Sequence, residues 1–416
     1  MTDQNRIDSQ DPPPTPPFQG GEGAIVRLNA SGLGVTADGY TVPLAAPGDT
    51  LLADETILSG PHHQTPPCRH FPLCGGCALQ HVDDDAYATF LVDRIAGSLG
   101  SVGIRTAIAV PHLSPPRTRR RASLRAEKSG RRVLLGFNEA RSRRVVDLAE
   151  CWILRPELFA LLSPLRGLLA TLIPDRRTAG VELAITDQGI DLLVTGIDPD
   201  ELMAIEAMTA FAQTHRLARL SIDSGHGAEA RWEPEPVTVT LGGVPVGLPA
   251  GGFLQATDDG EAALLAVVRD TVGDAKTVAD LFTGLGTFAL PLSRSARVLA
   301  AESERAPILS LKSAAARTGR PLVADHRDLF RRPYTAAELS RFDAVVLDPP
   351  RAGAREQVAE LSKATCARIA YVSCNPATFA RDAKTLVEGG WRLAAVTPVG
   401  QFRWSTHVEL AARFTR

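Results

Sequence analysis

Over residues 246–416, short apolar runs alternate with segments in which apolar side chains recur every three or four residues. Helical patterns lie near Phe288, from about Arg305 to Thr318, after Gly353 and from Thr378 to Val387. The apolar runs between them are TVADLF, RVLAAE, PLVAD, FDAVVLD, RIAYVS, WRLAAV and VELAARF. Strands and helices that alternate at this spacing predict a doubly wound α/β domain with a mainly parallel sheet. Ligands bind such sheets at the carboxyl ends of the strands.

The preceding residues show different patterns. Residues 1–20 are rich in Pro and Gly and predict a disordered lead-in. Residues 21–60 contain short β segments broken by turn residues, which is typical of a small five-stranded barrel. Residues 61–245 predict a central α+β domain with one long helix and several strands. These elements are a helix from Asp85 to Leu99 and strands at Ser123–Lys128, Val133–Phe137 and Val181–Ile185.

Composition narrows the class of protein. The chain has 416 residues, of which 44% are hydrophobic, so we expect two or three globular domains. It has no apolar run of about 18 residues or more, and MTDQNRIDSQ lacks the charged and apolar leader of a secreted protein. The sequence therefore predicts a cytoplasmic protein without a membrane span.

Charge is distributed unevenly along the chain. The net charge is -2, yet the stretch from Arg117 to Arg144 holds eleven Arg or Lys residues against Glu127 and Glu139. A run of this kind is often a solvated face. Here Leu, Val and Phe residues interleave with the basic ones, which favours strands that present guanidinium groups to a phosphate backbone. We therefore expect salt-sensitive binding to nucleic acid.

Three of the six cysteines are bunched in CRHFPLCGGC, at Cys68, Cys74 and Cys77. In a reducing cytosol such bunching favours metal binding or catalysis over disulfides. A thiolate-bound inorganic site generally has four ligands, so this segment predicts a fourth ligand elsewhere in the chain.

The first strand of the α/β domain leads into the glycine loop DLFTGLGTFALPL, which begins at Asp280. Gly284 and Gly286 allow a tight turn against a ligand, and Glu302 ends the second strand, where a carboxylate can accept both ribose hydroxyls. With Ala289 the glycines also match the dinucleotide pattern G-x-G-x-x-A, so a nicotinamide enzyme is an alternative. An acidic loop better suits a cationic sulfonium nucleoside, S-adenosylmethionine.

Two later strand ends carry candidate chemistry. The fourth strand ends in LDPPRAG with Asp348, and the fifth ends in YVSCNPATFARD with Cys374. Cys374 lies between a strand and a helix N-terminus, which would lower the pKa of its thiol and favour a nucleophile. Cys366 lies in a helical approach and is expected to be an inert core residue.

Taken in order, these motifs and the C-terminal STHVEL resemble the RNA uracil-5-methyltransferase family, particularly its cluster-containing 23S ribosomal RNA branch. The resemblance covers residues 21–416. It implies a Rossmann-like, seven-stranded S-adenosylmethionine methyltransferase domain, preceded by an RNA-binding barrel similar to OB and TRAM domains and a central cluster-binding domain. It also implies an RNA substrate, most strongly 23S rRNA and alternatively tRNA, and we expect a monomer.

The resemblance implies the roles of six residues. Cys374 adds to uracil C6, and Glu409 removes the proton from C5. Cofactor contacts carry over to Gln255, Phe282, Glu302 and Asp348. For the adenine, Asp325 and Asp328 are both candidates.

The family likeness also implies that the fourth metal ligand is remote, with Cys151 as the candidate. Cys68, Cys74, Cys77 and Cys151 would then hold a 4Fe-4S cluster. Zinc is the alternative metal, because several histidines crowd the same segment and Cys3His is a common zinc set. These histidines are His62, His63, His70 and His81. Either metal is expected to have a structural and RNA-positioning role.

Three other functions remain open at the sequence level. An RNA cytosine-5-methyltransferase would also use a cysteine nucleophile. An amino-methyltransferase shares the DPP element, but Arg351 stands where such enzymes normally have an aromatic residue. From another class, the chain could be a non-catalytic RNA-binding iron-sulfur scaffold, which the pairing of Cys374 with Glu409 disfavours.

Overall fold

The computed structural model describes residues 22–416, so the predicted lead-in at residues 1–20 lies outside the described residues. Contacts divide the described chain into two compact units. The first contains residues 22–65 and Leu79–Phe90, and the second contains Pro66–Ala78 and Leu91–Arg416. Within residues 22–416, no helix is both long and apolar enough to cross a membrane.

The first unit contains a curled five-stranded sheet, as the sequence predicts. Its strand order is β3-β2-β1-β4-β5. The strands are β1 (Gly23–Leu28), β2 (Gly34–Thr36), β3 (Thr41–Val42), β4 (Thr50–Leu51) and β5 (Ile57–Leu58), and helix α1 (Asp84–Ser101) follows. A small core of Ile25, Val42, Ala45 and Leu51 lies against the sheet. A Cβ at Gly34 would lie 2.8 Å from the Cβ of Ala45, so only glycine allows this close approach.

The second unit contains a mixed six-stranded sheet with order β12-β11-β10-β9-β7-β8. Strand β7 alternates buried and exposed residues, and helix α2 buries a leucine-rich face against the same core. The elements are β6 (His112–Leu113), β7 (Arg121–Ser129), β8 (Arg132–Gly136), α2 (Pro156–Leu172), β9 (Thr178–Thr186), β10 (Gly189–Thr195), α3 (Leu202–Thr214), β11 (Arg219–Asp223) and β12 (Ala228–Trp232). Strand β6 belongs to the other large sheet.

That other sheet has eight strands in the order β17-β16-β15-β18-β19-β21-β20-β6. It confirms the doubly wound α/β class, and β21 runs antiparallel to its neighbours β19 and β20. Strands β13 (Thr238–Leu241) and β14 (Val244–Gly247) form a separate two-stranded sheet before it. The elements from there to the end of the chain are α4 (Asp258–Val272), β15 (Thr277–Leu281), α5 (Ala289–Leu292), β16 (Arg297–Glu302), α6 (Arg305–Thr318), β17 (Leu322–His326), α7 (Ala336–Leu339), β18 (Ala344–Leu347), α8 (Arg355–Leu361), β19 (Arg368–Ser373), α9 (Pro376–Glu388), β20 (Arg392–Gly400) and β21 (Glu409–Thr415).

Two features of this region differ from the simplest sequence expectation. The seven expected strands gain an eighth, β6, which pairs with the end of β20 through Val399 and His112. The hairpin of β13 and β14 buries Val239 and Val246 in the same core as α4 and β15. The predicted boundary between residues 245 and 246 therefore falls inside β14.

Candidate active site

A cleft of about 710 Å³ opens at the carboxyl ends of β15, β16, β18 and β19. This is the edge at which ligands bind in doubly wound sheets. The six residues to which the resemblance assigns cofactor-binding and catalytic roles all line this cleft, whereas the adenine candidates Asp325 and Asp328 do not. The six that line it are Gln255, Phe282, Glu302, Asp348, Cys374 and Glu409.

The glycine loop forms one wall of the cleft. Phe282 and Gly284 have φ angles of 64° and 55°, and a Cβ on Gly284 would meet no atom within 4 Å. The carboxylate of Glu302 accepts hydrogen bonds from the backbone N–H groups of Gly284 at 3.0 Å and Glu304 at 2.9 Å. The strand end and the loop thus hold each other in place around an acidic side chain, which is suited to polar groups of a nucleoside.

Phe330 is a cleft residue that the sequence analysis missed. Its side chain is 41% exposed, and its ring centroid lies 5.6 Å from that of Phe282. The candidate Asp325 instead accepts the hydroxyl hydrogen bond of Tyr334, and Asp328 accepts the backbone N–H of Phe330 at 3.0 Å. An apolar pair, Leu329 and Phe330, in the otherwise polar run DHRDLFRR is the signal that could have identified it.

The floor of the cleft is strongly acidic. Asp348 follows β18, and burial raises the pKa of its carboxyl to about 7, with further contributions from Asp280 and Glu302. Burial likewise raises the pKa of Asp280 to about 7, although Thr283 donates a hydrogen bond to it at 2.6 Å. Gln255 is buried, and its side-chain nitrogen lies 3.5 Å from an Asp348 oxygen. Adjacent buried carboxylates of this kind favour a cationic ligand.

Cys374 lies between the end of β19 and the start of α9, where Asn375 caps the helix by accepting the backbone N–H of Ala377. The expected lowering of the Cys374 thiol pKa is wrong. Burial, and then the carboxylates of Glu409 and Asp348, raise this pKa to about 11, while Arg351 lowers it only in part. The nearby negative charges and the loss of hydration outweigh the helix N-terminus.

Glu409 is the first residue of β21 and is 6% exposed. Burial and then the carboxylate of Asp348 raise the pKa of Glu409 to about 8, against opposing contributions from Arg121, Arg351 and a hydrogen bond from Gln401. A carboxylate with a pKa near the working pH is well matched to accepting and releasing a proton.

The four candidate cluster cysteines belong to the second unit. Cys74 lies in the core of the central sheet, and Cys77 and Cys151 pack against that core. Burial raises the pKa of the Cys74 thiol to about 11, with smaller contributions from Cys151 and Cys68. Within residues 22–416, no three or more His, Cys, Asp or Glu side chains converge on a point where one metal ion could sit.

The nearby histidines have protein partners. His62 and His63 pair with Asp83 and Asp49 inside the first unit, at 2.9 and 2.7 Å. A ring nitrogen of His70 accepts the backbone N–H of Ala149 at 2.9 Å. These three imidazoles therefore stabilise the local fold.

The basic stretch forms strands β7 and β8, as predicted, and its arginine side chains lie in three environments. Arg120 is buried and pairs with Asp258 and Glu261 at 2.5 Å, so its role is structural. Arg119 lines the cleft, and Arg121 lies 4.7 Å from the ring of Phe253. The remaining arginines of the stretch are exposed, and they are Arg117, Arg125, Arg131, Arg132, Arg141, Arg143 and Arg144.

Comparisons with known proteins agree with this geometry. Residues 321–416 match the family model for tRNA (uracil-5-)-methyltransferases. An RNA methyltransferase of Zymomonas mobilis is 52% identical over 393 residues, which cover 94% of this chain and 99% of that protein. The 23S rRNA (uracil(1939)-C(5))-methyltransferase RlmD of Thiobacillus denitrificans is 33% identical over 372 residues, which cover 84% of this chain and 85% of that enzyme.

A solved structure has the same fold. The Pyrococcus abyssi tRNA (uracil-54, C5)-methyltransferase, determined with S-adenosyl-L-homocysteine, matches with a TM-score of 0.72 at 22% identity. The match covers 95% of this chain and 100% of that chain. With relatives this similar over nearly their whole length, the chain belongs to the RNA uracil-5-methyltransferase family.

Proposed function

We propose that this protein transfers a methyl group from S-adenosylmethionine to C5 of a uridine in 23S rRNA. One observation carries the proposal. A single cleft is lined by an acidic glycine-loop wall suited to a sulfonium nucleoside, by Cys374 and by the buried carboxylate of Glu409. The preference for 23S rRNA over tRNA follows the relative RlmD, which is 33% identical, whereas the tRNA enzyme of known structure is 22% identical.

The chemistry assigns a different task to each side chain. Uracil C5 is a weak nucleophile, so the Cys374 thiolate first adds to C6 and the C5–C6 π electrons move toward the C4 carbonyl. S-Adenosylmethionine would supply an electrophilic methyl group on a sulfonium, and the bond from methyl to sulfur would break as C5 takes the methyl group, so that S-adenosylhomocysteine leaves. After C5 has taken the methyl group, Glu409 accepts the C5 proton, the C5–C6 double bond re-forms and the Cys374 thiolate leaves.

Burial, and then the carboxylates of Glu409 and Asp348, raise the pKa of the Cys374 thiol, and a cationic cofactor beside these carboxylates would offset their charge. Cofactor binding is therefore expected to favour the thiolate. The target base must also leave its stack, because the face of C6 that the thiolate attacks is blocked in a helix.

The proposal is tested with anaerobically purified protein, S-adenosylmethionine carrying a labelled methyl group, and unmodified 23S rRNA or tRNA, followed by nucleoside mass spectrometry. We expect labelled 5-methyluridine in 23S rRNA. Label in tRNA would correct the substrate, and label on cytidine or an exocyclic amine would correct the reaction. Absence of label from every RNA would support the scaffold alternative.

Cofactor affinity depends on Glu302. We expect Glu302→Gln to raise the S-adenosylmethionine Kd by about 10- to 100-fold, because the amide loses charge-assisted contacts to the loop and to ribose hydroxyls. Isothermal titration without RNA measures this change. Glu304→Gln is the control, since Glu304 also lines the cleft but holds Glu302 through its backbone N–H. Equal affinities for wild type and Glu302→Gln would contradict the assignment.

We also propose that Cys68, Cys74, Cys77 and Cys151 hold a 4Fe-4S cluster. All four lie in the second unit, and the thiols of Cys74, Cys151 and Cys68 interact electrostatically. A single zinc ion needs its donors around one point, whereas a cluster spreads its four thiolates over four irons. The spacing C-x5-C-x2-C and its resemblance to the cluster-containing branch of the family are what support the cluster over zinc.

The metal content of the purified protein distinguishes a 4Fe-4S cluster from a single zinc ion. We expect about four iron atoms and four sulfides per anaerobically purified chain, and loss of both in Cys151→Ser. Cys366→Ser is the matched control, because Cys366 is buried in the methyltransferase domain. One zinc ion per chain, retained in air, would instead support the zinc alternative.

The exposed arginines of the basic stretch are proposed to contact RNA phosphates. Replacing Arg131, Arg141 and Arg143 with Ala should weaken RNA binding about 10-fold or more at low salt and reduce the slope of log K against log salt by about 2. Filter binding over a salt series measures both quantities. A control that replaces the exposed Arg297, Arg355 and Arg392 should keep the wild-type slope. An unchanged slope in the first variant would mean that this surface does not meet the RNA backbone.

A further inference from the structure

Two buried side-chain amides, those of Gln401 and Gln255, are hydrogen-bonded to each other beside the cleft. Gln401 is 2% exposed and directly follows β20. Its Oε1 accepts the backbone N–H of Ala256 at 2.8 Å, which directs its Nε2 toward Gln255 Oε1 at 2.7 Å. The backbone contact fixes which end of the Gln401 amide is the donor.

The orientation of Gln401 fixes that of Gln255 in turn. Because Gln255 Oε1 is occupied as an acceptor, its Nε2 faces Asp348, 3.5 Å away. The backbone carbonyl of Gln255 also accepts the Nε–H of Arg120 at 3.0 Å. Gln255 therefore presents donors to the acidic side of the cleft in one orientation only.

Gln401 also reaches the catalytic base. Strand β20 pairs with β21 at Val399 and Glu409, and Gln401 follows Val399 by two residues. The Gln401 side chain lowers the pKa of the Glu409 carboxyl, against the larger effects of burial and Asp348. The packing of Gln401 depends on Gly260, because a Cβ there would lie 2.7 Å from the Gln401 Cβ. One amide thus bonds a cofactor residue and lies close to the proposed base along the sheet.

We propose that Gln401 is a positioning residue whose amide holds Gln255 in one orientation and donates a hydrogen bond to the Glu409 carboxylate. This inference rests on the proposed role of Glu409. As a donor to the carboxylate, Gln401 stabilises its ionised state. The charged or titratable groups around Glu409 are Asp348 after β18, Cys374 after β19, Arg351 after β18 and Arg121 on β7.

The variant Gln401→Glu tests this directly. An acid of the same length cannot, when ionised, donate to Gln255 or Glu409, and it adds a like charge beside the base. In multiple-turnover methylation across pH, where release depends on the base, we expect the acidic limb of kcat to move up by about one pH unit or more, with kcat at neutral pH falling about 10-fold. KM for RNA should change far less than kcat.

Two further variants keep the test decisive. Gln401→Met removes the hydrogen bonds without adding charge, and we expect a smaller shift of the limb in the same direction. Gln357→Glu is the control, because Gln357 is also fully buried and holds the backbone of Tyr334 through two bonds. This control is expected to lose thermal stability and to keep the wild-type pH limb.

The outcomes separate this inference from the proposed function. If wild type methylates uridine and both Gln401 variants keep the wild-type pH limb while only the unfolding midpoint falls, Gln401 is merely structural. If wild type methylates no RNA, the proposed function itself fails. A Gln401→Glu protein that does not fold leaves Gln401→Met to decide between a shifted and an unshifted limb.

Discussion

Cys374→Ala is expected to abolish methylation, with single-turnover rates down by about 10⁴-fold or more. In the proposed mechanism C5 becomes nucleophilic only after a thiolate has added to C6, and Cys374 is the only cysteine among the described residues that line the cleft. Cys374→Ser should be almost as impaired, because a hydroxyl ionises even less readily than a thiol among Glu409 and Asp348. The measurement is transfer of labelled methyl to saturating RNA.

The matched control for Cys374 is Cys366→Ala. Cys366 is 2% exposed, so its substitution tests loss of a buried thiol without touching the cleft. We expect this variant to methylate RNA at close to the wild-type rate. The Cys374 variants should still bind S-adenosylmethionine and RNA, measured by titration, so that a loss of binding is not mistaken for a loss of chemistry. Methylation by Cys374→Ala would exclude the covalent mechanism.

The sequence predicts the α/β domain well because its strand signals are local. Each strand from β15 to β21 is a compact apolar run, and each strand end carries a motif whose position in the sheet follows from connection rules. Residues far apart in sequence, such as Phe282 and Cys374, can therefore be expected at one edge of the sheet, and both line the cleft. Their roles stay predictions.

Properties that depend on several distant groups could not be predicted in this way. The pKa of the Cys374 thiol reflects Glu409 and Asp348, which only the fold brings together, and the local signal of the helix N-terminus pointed in the wrong direction. Gln401 gave no sequence signal, because an amide belongs to no motif until its partners are known. The two-residue strand β6 was too short to show any periodicity.

Glu409→Gln should separate the two halves of the reaction. Addition of Cys374 and methyl transfer do not require the base, whereas release requires removal of the C5 proton. We expect turnover to fall by about 10²- to 10⁴-fold, with a methylated RNA–protein adduct accumulating. Denaturing gels and intact mass spectrometry would detect the adduct, which should be absent from the Cys374→Ala/Glu409→Gln double variant.

The pH dependence of proton removal provides an independent check on Glu409. Burial and Asp348 raise the pKa of this carboxyl to about 8, so the ionised base is lost as pH falls through that value. Decay of the wild-type adduct should therefore slow about 10-fold for each pH unit below it, while Glu409→Gln should show no such limb. Glu360→Gln, which alters a carboxylate that caps α7 outside the cleft, should behave as wild type. Normal turnover in Glu409→Gln would transfer the role of base to another group.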